Sequence, residues 1–149
     1  YLFGILLGGY FGSRLSTSIR EEKGYTYGIH STMDAMVHDG CFLISTEVAQ
    51  EYAELTLTAI YEEIADLREN EVSDDELQQM KSYLQGYLMN SVDGVFRSST
   101  VVRGLIESGV GKEYFNSLQT VLENLSPKDI RDVAVQYFQK EDLFEVIVG

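Results

Sequence analysis

Cysteine and histidine are both scarce in this chain of 149 residues. Cys41 is the only cysteine, so no internal disulfide can form, and its apolar neighbours in sequence predict a buried, unreactive thiol. His30 and His38 lie eight residues apart, one in a predicted strand and one at a predicted turn. A catalytic zinc site needs about three converging ligands, often with two histidines one helical turn apart. The sequence therefore predicts no metal site in this chain.

Basic residues are also few, since 11 lysines and arginines face 24 aspartates and glutamates and give a net charge of −13. Twelve of the acids lie between Asp39 and Glu76. Such a negative field repels nucleic acid and anionic membranes, and it favours basic peptides as partners. An acidic helix face that only keeps the protein soluble is the simpler alternative.

Long apolar runs and the common catalytic motifs are missing. The apolar opening, residues 1–12, contains four glycines and is followed by Arg14, whereas a membrane-spanning helix needs roughly 20 apolar residues. We therefore expect no membrane span. The sequence has no G-x-S-x-G, G-x-x-x-x-G-K-[ST] or G-x-G-x-x-G motif, and Cys41 has no neighbouring base. No catalytic residue is predicted in this chain.

The spacing of apolar residues predicts one β-hairpin among several helices. Ser73 and Ser126 open two of these helices, Ser73 as the first residue of a capping box and Ser126 before the only proline. The first predicted elements are a helix from Leu2 to near Gly24 and two strands, from Tyr25 to Asp34 and from Cys41 to Val48. Five helices follow: one over residues 53–67, one that begins at residue 73, one over 97–110, one over 113–125 and one that begins at residue 126. The last predicted element is a buried strand over 143–148.

This order of elements predicts an α+β domain, with a mainly antiparallel sheet and helices packed on one face. Residues 1–149 are enough for one domain. Three strands make a thin sheet, so we expect at least one further strand before Tyr1 or from a partner. The chain has no starting methionine or basic leader, and we expect it to be a fragment of a longer, two-domain chain.

Arg20 and Tyr27 are the best candidates for a functional site. The first predicted helix ends just after Arg20, and Tyr27 begins the following strand. Guanidinium and phenol groups both donate hydrogen bonds and suit a carbonyl oxygen or the oxyanion that develops on it. Two structural explanations compete with this interpretation. An arginine stabilises a helix C-terminus, and Tyr27 alternates in phase with Ile29 and would lie in the core.

Several motifs, in order along nearly the whole chain, resemble the C-terminal, non-zinc-binding domain of M16 zinc metallopeptidases. This is the group of pitrilysin, insulin-degrading enzyme and mitochondrial processing peptidase, with a LuxS/metallohydrolase-like fold. The motifs are L-G-G-x-x-x-S-R-L at 7–15, I-R-E-E-K-G-Y-x-Y at 19–27, the helix starts at 73–77 and 126–130, and V-I-V-G at 146–149.

The resemblance implies a role for the domain and for four of its residues. In the family, two homologous domains enclose a chamber. One binds zinc through H-x-x-E-H and a downstream glutamate, and the other supplies an arginine and a tyrosine that hold the substrate peptide. Arg20 and Tyr27 match that pair. Gly8 and Gly9 correspond to a glycine-rich substrate loop of some relatives, but the loop is not expanded here, so only chamber-lining backbone is expected.

The resemblance also implies partners and location. We expect zinc in an upstream H-x-x-E-H domain, a peptide substrate that is basic if the acidic stretch selects it, no catalysis by this chain alone, and a dimer in the cytoplasm or periplasm of a bacterium. Two other interpretations stay open: a catalytically silent structural subunit with the same fold, and a free-standing peptide-binding module.

Overall fold

The computed structural model describes residues 1–36, 38–111 and 113–149, without the side chain of residue 115. In chain order the elements are α1 (Leu2–Gly8), a π-helical turn (Ser16–Glu22), β1 (Thr26–Ala35), β2 (Gly40–Val48), a 3₁₀ turn (Gln50–Tyr52), α2 (Ala53–Glu69), α3 (Asp74–Ser91), α4 (Val95–Glu107), α5 (Glu113–Asn124), α6 (Pro127–Tyr137) and a second 3₁₀ turn (Lys140–Asp142). None of the described helices is long and apolar enough to cross a membrane.

The predicted α+β class is confirmed. β1 and β2 form an antiparallel hairpin in which Ser31 pairs with Ile44 and Ala35 with Gly40. On β2, Phe42 and Ile44 pack against the core beneath the helices, while Cys41, Leu43 and Ser45, which alternate with them, are exposed. The alternation follows from the period of two in a strand, which gives the hairpin one covered face and one open face.

The core lies between the hairpin, α1 and the helices α2, α3 and α6. Leu6 and Leu7 of α1 are fully buried. The Phe3 ring of α1 lies 4.3 Å from the Phe138 ring, and Phe42 of β2 meets Phe138 edge to face at 4.9 Å. Aromatic pairs at these separations combine a large buried apolar area with favourable ring geometry. They join both ends of the chain to the hairpin.

The N-terminal helix is shorter than the spacing of apolar residues predicted. α1 ends at Gly8, and turns occupy the next residues before helical backbone resumes at Arg14. The Gly9 amide bonds to the Ile5 carbonyl at 2.9 Å, and the Ser13 amide bonds to the Tyr10 carbonyl at 3.1 Å. Glycine lowers helix stability by about 1 kcal/mol relative to alanine, so the glycines of this segment allow the chain to bend where an unbroken helix was expected.

Both predicted helix starts carry a serine cap. The Ser126 hydroxyl accepts the Asp129 amide, and the Asp129 carboxylate accepts the Ser126 amide, which completes a capping box. Ser73 accepts the Glu76 amide at 3.2 Å. The carboxylate of Glu76 instead binds Arg14, so only half of the box predicted there is formed.

The terminal segment, residues 143–148, is not the buried strand that was predicted. Leu143 has extended backbone angles and packs against the core. Phe144 and Val148 are 95% and 91% exposed. In the described part of the chain, the sheet consists of β1 and β2 paired with each other, so no strand lies beside this segment to bond its backbone. The expectation of a further strand before Tyr1 or from a partner stays a prediction.

Candidate functional site

A β-bulge stands at the start of β1. Thr26 pairs with Val48 and Ile29 with Thr46, so two residues of β1 face one residue of β2. The Thr26 hydroxyl donates to the Glu47 carbonyl at 2.7 Å and accepts the Gly28 amide at 3.1 Å. The Thr46 hydroxyl donates to the Gly28 carbonyl at 2.9 Å. These hydroxyls satisfy backbone groups that the bulge removes from the ladder.

The bulge decides which way Tyr27 faces. One extra residue reverses the alternation of a strand, so Thr26 and Ile29 are both buried while Tyr27 is fully exposed. The period-two pattern that placed Tyr27 on the face of Ile29 is therefore wrong. Tyr27 is therefore not a core residue, and its phenol is accessible to a ligand.

Arg20 lies in the π-helical turn and is half-buried. Its guanidinium carbon lies 4.1 Å from the centre of the Phe11 ring, a cation–π contact. Across residues 1–36, 38–111 and 113–149, no hydrogen bond or ion pair involves this guanidinium, so its N–H groups are uncommitted.

A short connection joins the Arg20 turn to the Tyr27 strand. The Tyr25 amide bonds to the Ile19 carbonyl at 3.1 Å, and the Tyr25 ring stacks on Tyr52 at 5.0 Å. Gly24 lies between the π-helical turn and β1, and its φ of +66° is in the left-handed region that favours glycine. The connection is thus held from both sides, and it places the two predicted site residues at one junction of helix and strand.

Arg14, six residues before Arg20, differs from it in that its guanidinium binds acids of the same domain. Its guanidinium binds Glu76 through two hydrogen bonds of 3.0 and 2.8 Å, also contacts Asp66, and lies 3.9 Å from Glu63. Burial opposes its charge, but the hydrogen bonds to Glu76 and Asp66 outweigh this and raise the pKa of Arg14. Its donors are therefore engaged in joining the α1–β1 region to α2 and α3, and Arg14 is a structural residue.

The two predicted chamber-lining glycines have packing environments of their own. Gly8 is buried, and a Cβ atom there would lie 2.8 Å from the Ser31 backbone nitrogen. The Ser31 hydroxyl donates to the Gly4 carbonyl at 2.7 Å. Gly9 is half-buried and lines a cleft of about 250 Å³ beside Tyr83. Close contact of α1 with β1 accounts for Gly8, and a chamber-lining role for either glycine stays a prediction.

The chemistry-bearing side chains elsewhere do not converge. His30 and His38 are both exposed. Cys41 is exposed as well; the prediction of a buried thiol is wrong, because Cys41 lies on the open face of β2. Among the described residues, no group of three or more histidines, cysteines or acids is placed to hold a metal ion. The donors in the described part of the chain do not converge as a zinc site requires.

Phe11 is the site residue that the sequence did not predict. It lies nine residues before Arg20 and is 64% exposed. Its contact with Arg20 depends on the turns that follow α1, where an unbroken helix was expected. The nearest signal in the sequence was the group of glycines around Phe11.

A family model described as the peptidase M16 inactive domain matches residues 1–84, more than half of the chain. The chain is 26% identical over 128 residues to the uncharacterized zinc protease YmxG of Bacillus subtilis (strain 168), an alignment that covers 86% of this chain and 31% of that protein.

Two solved structures share the fold. A peptidase M16 inactive domain from Pseudomonas fluorescens has a TM-score of 0.77 at 24% identity, covering 91% of this chain and 32% of that one. A protease from Helicobacter pylori has a TM-score of 0.80 at 17% identity, covering 93% and 33%. The chain spans about a third of the length of these relatives.

Proposed function

The chain belongs to the family of M16 peptidase inactive domains, and on that premise we propose that it is the substrate-holding half of a zinc metalloendopeptidase. The family is the one that the sequence motifs indicated. In this proposal the chain binds the peptide substrate and positions it, while a second domain with an H-x-x-E-H motif carries the zinc and cleaves the peptide.

The observation that carries the proposal is the pair of uncommitted donors at one junction. The N–H groups of Arg20 form no hydrogen bond or ion pair with the described residues, and the Tyr27 phenol is fully exposed. A strand with a bulge and a π-helical turn are both features that often accompany functional sites. Arg14 provides the contrast, because its donors are taken up by acids of the same domain.

The chemistry assigned to this chain is positioning by hydrogen bonds. The Arg20 guanidinium donates to a carbonyl oxygen of the bound peptide, and the Tyr27 hydroxyl donates to a second one or to the oxyanion that forms beside it. Donors that are already oriented stabilise this negative charge without rearrangement during the reaction. The proposal leaves the zinc ligands and the proton transfer at the metal to the second domain.

Exposed apolar surface supports contact with further protein. α4 has no buried residue and exposes Val95, Phe96 and Ile106, and the terminal segment exposes Phe144 and Val148. Grouped apolar side chains on a surface are typical of interaction sites. In this proposal these side chains contact the catalytic domain or a second copy of the protein in a dimer. Selection of basic peptides by the acidic region is a further part of the proposal.

Peptide hydrolysis by the full-length protein tests the proposal. Arg20→Ala should lower kcat/KM by about a hundredfold, the scale of one lost oxyanion donor. Tyr27→Phe should lower it by about fivefold to tenfold, the scale of one neutral hydrogen bond. Arg131→Ala is the control, because Arg131 is a partly exposed arginine on α6 whose ion pair with Glu71 is at the surface.

The control also separates this proposal from the structural alternative. If Arg20→Ala and Arg131→Ala have the same activity as the unchanged protein, the Arg20 site holds no substrate. The domain would then be a structural subunit. Retained zinc content and an unchanged melting temperature in each variant would show that the comparison concerns the site and not folding.

A further inference from the structure

We propose that Phe11 is a positioning residue that holds the Arg20 guanidinium ready for the substrate. This inference rests on the proposed function of Arg20. Its basis is the 4.1 Å separation between the Arg20 guanidinium carbon and the centre of the Phe11 ring. Among the described residues, no hydrogen bond or ion pair engages this guanidinium in addition to the ring.

The type of contact matters because of where a guanidinium carries its donors. All five N–H groups lie in the plane of the group and point outward from its edge. A ring attracts a guanidinium through its π electrons and offers no oxygen or nitrogen acceptor, so it leaves the N–H donors without a conventional hydrogen-bond partner. A carboxylate would occupy those donors, as Glu76 does for Arg14. Phe11 can therefore orient Arg20 without competing with the substrate.

The turn that carries Phe11 is itself anchored. Its neighbour Tyr10 stacks on Tyr83 of α3 at 4.7 Å, and the Ser13 amide closes the turn on the Tyr10 carbonyl at 3.1 Å. At Gly12 a Cβ atom would lie 3.0 Å from the Tyr10 ring. The ring of Phe11 is thus presented by a fixed backbone.

Orienting Arg20 in advance should assist substrate binding and the reaction. A long arginine side chain loses rotamer freedom when a ligand fixes it. A side chain that is already held loses less, and the donors reach the oxyanion without rearrangement. The effect of Phe11 should therefore pass entirely through Arg20.

A double-mutant cycle in the full-length protein tests this inference by peptide hydrolysis. Phe11→Leu keeps an apolar side chain but removes the ring, and it should lower kcat/KM by between about twofold and about thirtyfold, the range of cation–π contacts from exposed to desolvated. Phe11→Tyr keeps the ring and should stay within about twofold of the unchanged protein. Tyr137→Leu is the matched control, because the exposed fraction of Tyr137 on α6, 63%, is nearly the same as that of Phe11.

The decisive comparison is Phe11→Leu in the Arg20→Ala background. Positioning through Arg20 predicts that the second substitution has no further effect there. An equal loss in both backgrounds, or a Phe11→Tyr variant as impaired as Phe11→Leu, would overturn the role of Phe11 while leaving the proposed function of Arg20 intact. Unchanged activity of Arg20→Ala alone would instead overturn the proposed function, and the positioning role with it.

Discussion

Replacement of Gly8 by alanine should destabilise the protein, although alanine is the better helix former. A Cβ atom at Gly8 would lie 2.8 Å from the Ser31 backbone nitrogen, 2.9 Å from its Oγ and 3.0 Å from its Cβ. Real Cβ atoms essentially never lie closer than 3.0 Å to such neighbours, and the nearest of the three is a backbone atom in the middle of β1. The contact can be relieved only if α1 and β1 move apart.

The magnitude follows from two opposing effects. Overpacking of a core by one methyl group costs about 1–3 kcal/mol when the surroundings cannot yield. Alanine in place of glycine stabilises a helix by up to about 1 kcal/mol. Because Gly8 is the last residue of α1, this stabilisation is small here. The free energy of unfolding should therefore fall by about 1–2 kcal/mol.

Gly86 provides the matched control within the same chain. It lies in the interior of α3, is exposed, and has no atom within 4 Å of the position of an added Cβ. Gly86→Ala should therefore raise the free energy of unfolding by about 0.5–1 kcal/mol, the ordinary difference between the two residues in a helix. The same substitution is thus expected to have opposite signs at the two positions.

Urea unfolding followed by circular dichroism measures both variants. The expected result is a lower transition midpoint for Gly8→Ala and a higher one for Gly86→Ala, with slopes equal to that of the unchanged protein. Stabilisation by Gly8→Ala equal to that by Gly86→Ala would refute the tight α1–β1 contact. The explanation of Gly8 by packing would then be lost.

Two further predictions concern the helix-to-strand connection and the Arg14 cluster. Gly24→Ala should cost about 1–2 kcal/mol in urea unfolding, because φ of +66° is unfavourable for a residue with a Cβ; no loss would show that the connection adopts another conformation. Hydrogen bonds from Asn70 and Arg14 lower the pKa of Asp66, so its stabilisation is present above the unfolded value of about 4 and is lost as the pH falls through the lower folded value. The stability of Asp66→Asn, measured by urea unfolding between about pH 5 and pH 2, should therefore fall less than that of the unchanged protein.

Local sequence signals predicted most of the secondary structure. The hairpin and the later helices are where the apolar period placed them, because that period and the serine caps act over a few residues. The predictions that failed depend on distant parts of the chain. Among the residues that the structure describes, no strand lies beside 143–148, and Cys41 lies on a face of β2 that the helices leave open.

In the candidate site, too, some features could be predicted from local sequence and others depend on distant parts of the chain. Arg20 and Tyr27 could be selected from the sequence because their residue types and spacing match a family motif. The structural role of Arg14, in contrast, could not be predicted from the sequence. Arg14 meets its acids 52 and 62 residues further along the chain, and such contacts exist only after α2 and α3 have packed.

The sequence by itself determined the family, the α+β class and the identity of the candidate donors, because these follow from motifs and short-range periodicity. Only the tertiary structure decided how those donors are presented. Pairing of β1 with β2 forms the bulge that turns Tyr27 outward, and the turns after α1 bring Phe11 to Arg20. The physical reason is that exposure and free hydrogen-bonding capacity depend on the whole packed chain, whereas helix and strand patterns depend on neighbours in sequence.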